Sequence, residues 1–81
     1  MKIKFLNLDE IVRFTGFTEK LEHSNLDVRR GNQFLDGKSF LGMVNVQFGL
    51  DYEITIITSD DNERELFNKY IKEWNERRKT A

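Results

Sequence analysis

The chain begins with a short alternation of polar and apolar side chains. Residues 2–6 alternate in this way, which predicts a first strand. Asn7 follows, and Glu10 stands three residues later, the spacing of a capping box at the start of a helix. Positions at helical spacing then predict one buried helix face, made by Ile11, Phe14, Thr18 and Leu21. We expect this helix to close at Ser24-Asn25.

Three more strands are predicted further along the chain. Alternation returns over residues 26–30, and Gly31-Asn32 suits the positive φ values of a tight hairpin turn that leads into a short strand over residues 33–36. Residues 52–57 are rich in β-branched and aromatic side chains, which predicts the most central strand. The polar turn at residues 59–62 bounds it.

A last helix is predicted after this turn. Its buried face is expected to hold Leu66, Phe67, Tyr70, Ile71 and Trp74. Charges alternate on the solvent side at Glu65, Lys69, Glu73 and Arg77, and residues 78–81 are expected to fray. The order strand, helix, strand, strand, short helix, strand, helix predicts an α+β open-faced sandwich. A four-stranded antiparallel sheet carries three helices on one face, in a single domain over residues 1–81.

The segment from residue 40 to residue 50 has no charge, although 33% of the chain is charged. Ser39 is placed to cap a short helix there. The large apolar side chains of this helix and its end are Phe40, Leu41, Met43, Val44 and Val46. They cannot all share one narrow stripe of a short helix, so some must face away from the core.

Composition excludes several classes of function. The 81 residues support one modest core, and the absence of cysteine excludes disulfides and cysteine-based chemistry. A net charge of −1 argues against nucleic-acid binding, and the single His23 excludes histidine-rich metal sites. Polar residues from Asn7 onward end any apolar start, so we expect no membrane insertion and a cytoplasmic protein. We expect no cofactor, no metal and no catalysis.

Residues 38–46, with the letters KSFLGMVNV, resemble the regulatory-serine region of HPr, the histidine-containing phosphocarrier of the bacterial sugar phosphotransferase system. Gly49, the strand over residues 52–56 and the order of elements are also similar to that family. The resemblance implies the same open-faced sandwich. It also implies contact with protein partners of sugar transport.

The sequence departs from the family at the phosphocarrier motif after the first strand. An ungapped count from Ser39 places Leu8 at the phospho-histidine position and Glu10 at the arginine position. Leu8 has no nucleophile, and Glu10 brings a negative charge to the helix end that would otherwise attract phosphate. We therefore expect no conventional phosphoryl transfer.

The resemblance also implies a regulatory site and a contact surface. Ser39 matches the family's regulatory phosphorylation site, which a serine kinase would modify, and a plain helix cap is the simpler alternative. Lys38, Phe40, Leu41 and Val44 match the partner-binding positions, whereas Met43 and Val46 match inward-facing ones. Burial of the whole apolar set in the core is the other possibility.

Three hypotheses follow for the function. The first is a non-carrier HPr-like regulatory or adapter module that acts by protein contact through the helix after Ser39. The second is a phosphoryl carrier with an unconventional acceptor, either His23, expected near the far end of the first helix, or a carboxylate. The third is a scaffold protein unrelated to sugar transport.

Overall fold

The computed structural model describes residues 1–80, with side chains as far as residue 78, and it is an α+β protein. The chain forms four strands and three helices in the predicted order. Their bounds are β1 Lys2–Lys4, α1 Leu8–Thr18, β2 Ser24–Arg30, β3 Gln33–Asp36, α2 Phe40–Met43, β4 Asp51–Thr58 and α3 Asp61–Thr80. None of the described helices combines the length and the apolar character that a bilayer span requires.

The four strands form one antiparallel sheet in the order β1-β4-β2-β3. The eight-residue β4 is a central strand, as predicted, because it pairs with β1 on one side and with β2 on the other. In the register of the sheet, Val28 lies opposite Leu35 on one neighbour and Ile54 on the other. A two-residue turn joins β2 to β3, and of its residues only Gly31 takes a positive φ, 57°, the pattern of a type II′ turn.

Only one face of the sheet is buried. Alternate residues of the strands enter the core from that face: Ile3, Leu26, Val28, Tyr52 and Ile54. The residues between them are exposed, among them Asp27, Arg29 and Glu53. Side chains from all three helices join the same core cluster, including Ile11, Met43 and Phe67. The fold is therefore an open-faced sandwich, with the helices on one side of the sheet.

Aromatic rings fill the end of the core between α1 and α3. Phe5 lies edge-on to Phe14 at 5.1 Å between ring centroids and edge-on to Trp74 at 5.5 Å. Phe17 stacks on Tyr70 at 3.7 Å with almost parallel planes. Aromatic pairs in these arrangements contribute beyond the area that they bury, so they fix how α3 sits on α1.

Two predicted features near the N-terminus differ in the structure. β1 ends at Lys4 and not at residue 6, because its partner β4 begins only at Asp51, opposite Lys4. The carbonyl oxygen of the next residue, Phe5, accepts a hydrogen bond from the Gly49 N–H at 2.8 Å instead. The predicted capping box is half formed. The Asn7 side chain accepts from the Glu10 N–H at 3.0 Å, but the Glu10 carboxylate accepts from the N–H of Leu6 and not of Asn7.

The end of α1 also differs from the prediction. The helix stops at Thr18, and tight turns follow in which Lys20 N–H donates to Phe17 and Leu21 N–H to Thr18, both at 3.0 Å. Ser24 belongs to β2, where it pairs with Thr58. Leu21 is buried as predicted, although it lies beyond the helix. Hydrophobic spacing located the buried residue correctly but could not show where the helical hydrogen bonds stop.

α3 extends beyond the point where the sequence predicts a fraying tail. Phe67, Ile71 and Trp74 are buried as predicted, but Leu66 is exposed, so its place on the buried face is wrong. Residues 78–80 continue the helix, and the Arg78 guanidinium is bonded within the fold. The expected fraying of residue 81 lies outside the described residues.

The close approach of Gly37 to β2 provides a test of this packing. A Cβ atom at Gly37 would lie 2.8 Å from the Cβ of Leu26 and 3.2 Å from a methyl of Val28. We expect Gly37→Ala to lower the free energy of unfolding by about 1–3 kcal/mol, because two packed strand residues would have to move. Gly16→Ala is the matched control. A Cβ atom at that position, near the end of α1, would meet nothing within 4 Å beyond the backbone of its own helix, so stability should rise by up to about 1 kcal/mol. Equal losses in thermal unfolding of both variants would contradict the packing described here.

Candidate functional site

Ser39 caps α2, as predicted. Its side-chain oxygen accepts a hydrogen bond from the Gly42 N–H at 3.0 Å, and its backbone is extended at φ −106°. The preceding loop is held by Asp36, whose backbone and side-chain oxygens accept from the N–H groups of Ser39 and Lys38 at 3.0 and 2.9 Å. The serine hydroxyl is half-buried. It therefore lies at a defined point at the start of a short helix.

α2 divides its apolar side chains between two sides, as expected for so short a helix. Met43 is fully buried and Val46 nearly so. Leu41 is 79% exposed, Phe40 41% and Val44 40%. We call Phe40, Leu41 and Val44 the α2 patch. The alternative in which the whole apolar set is buried in the core is excluded.

Hydrogen bonds to the sheet fix the end of α2. The Asn45 side chain donates to the carbonyl oxygens of Leu41 and Gly42, at 3.3 and 3.2 Å. The backbone carbonyl of Asn45 accepts from the Gln33 side-chain amide at 2.9 Å. The buried Tyr52 hydroxyl accepts from the N–H of Gln47 at 2.9 Å and donates to Gln33. The α2 patch is thus carried on backbone that β3 and β4 hold in place.

Lys38 is occupied within the fold. Its ammonium donates to the carbonyl oxygens of Leu21 and Ser24 at 2.6 and 3.0 Å, where it closes the loop between α1 and β2. Its charge therefore serves the fold, and a role for Lys38 in partner binding finds no support in this geometry. No sequence pattern indicates these bonds, because Lys38 is 14 residues or more from both acceptors.

The start of α1 carries an apolar and an acidic side chain, as the sequence indicates, and the acidic one has a partner that was not predicted. Leu8 is the first residue of the helix and is half exposed. Glu10 is buried, and its carboxylate oxygen accepts from the Leu6 N–H at 2.8 Å and from Arg78 at 2.7 Å. Arg13 lies 3.8 Å from the other oxygen. The negative charge expected at this helix end is therefore neutralised by the far end of the chain.

This environment changes the acidity of Glu10. Burial by itself raises the pKa of the carboxyl group, but the hydrogen bonds from Arg78 and Leu6 and the positive charges of Arg78 and Arg13 outweigh it. The pKa of Glu10 is therefore lowered from its ordinary value of 4.5. The group is an ionised structural partner and not a proton donor at neutral pH.

An open cleft of about 190 Å³ adjoins this ion pair and is lined by Glu10, Arg13, Trp74, Arg77 and Arg78. Both Arg13 and Arg78 lie within 6 Å of the Trp74 ring, at 5.9 and 5.8 Å. Arg78 also donates to the carbonyl oxygen of Lys4 at 3.0 Å. The cleft lies at the edge of the contact between the start of α1 and the end of α3.

Further exposed apolar side chains lie near the start of α1 and were not predicted. The bond between Gly49 N–H and the Phe5 carbonyl brings the loop after α2 beside the start of α1. Phe48 is exposed on that loop, and Leu8 and Val12, four residues apart on one side of α1, are exposed as well. Helical spacing could have grouped Leu8 with Val12, but only the Gly49–Phe5 bond brings the α2 loop to them.

The sequence predicts His23 near the far end of α1, but it lies in the turn before β2. Its ring is exposed and shares the surface with the carboxylates of Asp60 and Glu63. A phosphoryl group there would meet the negative charge of these two carboxylates, which already occupy the start of α3. The proposed acceptor role is therefore disfavoured for a different physical reason from the one that the sequence suggested.

Comparison of the chain with protein-family models, curated proteins and solved structures gives no match. The resemblance to HPr therefore rests on residues 38–46, on Gly49 and the strand that follows it, and on the order of the elements.

The Glu10–Arg78 pair predicts a specific dependence of stability on pH. The pKa of Glu10 is lower in the folded protein than in the unfolded chain, so the ionised carboxylate stabilises the fold above about pH 4.5. This stabilisation is lost as the pH falls through the lowered pKa of the folded state. We expect Glu10→Gln to lower the free energy of unfolding by about 2 kcal/mol at pH 7, and the difference from the parent to shrink as the pH falls below 4.5.

Asp9→Asn is the control for this measurement, because Asp9 is exposed in the same helical turn. Its effect at pH 7 should be no more than about 0.5–1 kcal/mol, the size of an interaction with the helix dipole. Denaturant titrations at several pH values measure both variants. A loss in Glu10→Gln that is the same at pH 7 and at pH 3 would show that the charge of Glu10 contributes nothing.

Proposed function

We propose that this chain is an HPr-like protein that carries no phosphoryl group and acts as a regulatory or adapter module of sugar transport and carbon control. The observation that carries the proposal is the α2 patch. Phe40, Leu41 and Val44 face solvent directly after a capping serine, on a helix whose other side is fixed in the core. Exposed apolar side chains held in place by the fold are typical of protein contact surfaces.

The start of α1 supports the non-carrier part of the proposal. Leu8 offers no atom that could accept a phosphoryl group, and the Glu10 carboxylate is already bonded to Arg78 and Leu6. An incoming phosphoryl group would meet the apolar Leu8 side chain and a helix start already occupied by the Glu10–Arg78 ion pair. Leu8 instead adds apolar surface at the helix start, close to the loop that carries Phe48. This surface is better suited to protein contact than to chemistry.

Ser39 supplies a means of regulation in this proposal. A serine kinase that modified the hydroxyl would place about two negative charges directly before Phe40. The helix start tolerates negative charge there, so the fold would be retained. The apolar contact at the α2 patch would be weakened, because a partner would have to bury the phosphate or withdraw from it. Modification of Ser39 would thus release the partner without unfolding the module.

The proposal predicts where partners bind. The 15N-labelled chain is titrated with three purified components in turn: the general phosphotransferase enzyme, a sugar-specific transport component and HPr kinase. At least one should shift the amide resonances of Phe40, Leu41 and Val44. Leu41→Gln should weaken that binding by about thirtyfold, which corresponds to about 2 kcal/mol, because a central apolar anchor is lost.

Leu66→Gln is the matched control, since Leu66 is an exposed leucine on α3. It should bind like the parent, and both variants should keep the parent's melting temperature within a few degrees. Equal loss of binding in both variants would contradict the α2 patch. Shifts with none of the three components would favour a scaffold unrelated to sugar transport.

A separate measurement distinguishes the carrier hypothesis. The chain is incubated with the general phosphotransferase enzyme and phosphoenolpyruvate, and its intact mass is recorded. We expect no acid-labile phosphoryl adduct, because Leu8 has no nucleophile and His23 is surrounded by carboxylates. An adduct of one phosphoryl unit that disappears in His23→Ala would overturn the non-carrier proposal.

A further inference from the structure

A histidine and two carboxylates meet at one corner of the molecule. His23 comes from the turn before β2, Asp60 directly precedes α3, and Glu63 lies in its first turn. One potential ligand atom from each residue lies within 4.8 Å of the other two. About 40 residues of sequence separate the histidine from the carboxylates, so no local motif shows this grouping. The expectation of no metal rested on the single histidine of the chain.

The two carboxylates are held in position by the surrounding backbone and by Ser24. Both oxygens of Glu63 accept from the His23 N–H, at 3.0 and 3.2 Å, and one also accepts from the Ser24 hydroxyl at 2.7 Å. Glu63 is buried. One Asp60 oxygen accepts from the Glu63 N–H at 3.0 Å. Hydrogen bonds of this kind orient metal ligands before the metal arrives.

After these hydrogen bonds, His23, Asp60 and Glu63 still have atoms that could bind a metal ion. A carboxylate oxygen can accept two hydrogen bonds, and the second oxygen of Glu63 accepts only the longer bond from His23. The second oxygen of Asp60 accepts none from the described residues. The His23 imidazole is exposed and makes no hydrogen bond or ion pair within residues 1–78. Each residue therefore has one donor atom available.

No positive side chain neutralises the two carboxylates. Within the described side chains, no lysine or arginine nitrogen lies within 4.0 Å of an oxygen of Asp60 or Glu63. Two carboxylates and a neutral imidazole together form a donor set with charge −2. A divalent cation would neutralise that charge, and the imidazole favours a transition metal over magnesium or calcium.

We propose that His23, Asp60 and Glu63 bind a single zinc ion, with water completing the coordination. Ligand atoms of a tetrahedral zinc site lie about 3.3 Å apart, given bonds of about 2.0 Å. The three donors, now within 4.8 Å of one another, would have to draw together by up to about 1.5 Å. The exposed His23 side chain is free to make most of that movement, since nothing in the described structure holds its ring. The site is independent of the α2 patch and of the function proposed for it.

The proposal is tested by calorimetric titration of the untagged chain with zinc chloride. We expect one equivalent to bind, with the His23 ring protons shifting or broadening in NMR spectra at the same equivalence point. His23→Ala should weaken binding by about tenfold or more. Asp60→Asn should do likewise, although asparagine caps a helix as well as aspartate does. Magnesium chloride should bind at least about tenfold more weakly than zinc.

Asp61→Asn is the matched control, because it removes the same charge one residue further along and lies outside the cluster. It should bind zinc like the parent. Absence of zinc binding at 100-fold excess, undiminished affinity in His23→Ala, or equal affinity for magnesium would each overturn the proposal. Should Asp60→Asn lose its fold, His23→Ala decides the matter alone, since the imidazole that it removes has no partner in the described structure.

Discussion

The sheet buries only one of its faces, and this constraint determines where every helix and most side chains must lie. Three helices have to bring their apolar residues to the same side, where Val28 and Ile54 lie opposite each other on the two central strands. In a domain of this size, a small number of apolar side chains is enough to fill such a core. Apolar residues beyond that need are left on the surface, and on α2 they are held there by the burial of Met43.

The two ends of the chain meet at one place on this core. Glu10 in the first turn of α1 is bonded to Arg78 in the last turns of α3, and the Trp74 indole between them donates to the Lys4 carbonyl at 3.2 Å. A helix start with free N–H groups can attract an anion. Here the chain supplies that anion itself and neutralises it internally. The α1 terminus therefore joins the first helix to the last turns of α3.

Features set by neighbouring residues could be predicted, whereas features set by distant ones could not. The cap at Ser39 and the division of the α2 side chains between two sides follow from positions a few residues apart. The inward position of Met43 was what the resemblance to HPr implied. The order of strands and helices follows from alternation and helical spacing. The early end of β1 depends on where β4 begins, 47 residues later, and the occupation of Lys38 depends on carbonyl groups in another loop. The contact between His23 and Glu63 could not be predicted either, because it is made by a hydrogen bond from the His23 backbone N–H to a residue far away in the sequence.

The lengths of the strands have a consequence for how the molecule behaves in a crowded solution. The outer strands β1 and β3 have three and four residues, whereas the inner strands have seven and eight. A sheet edge with unpaired N–H and C=O groups can pair with a strand of another chain, and a short edge offers few hydrogen bonds for such pairing. Lys2 and Lys4 add like charges along one edge and Asp36 adds a charge to the other. The α2 patch can therefore remain apolar and exposed while the sheet itself resists growth into fibrils.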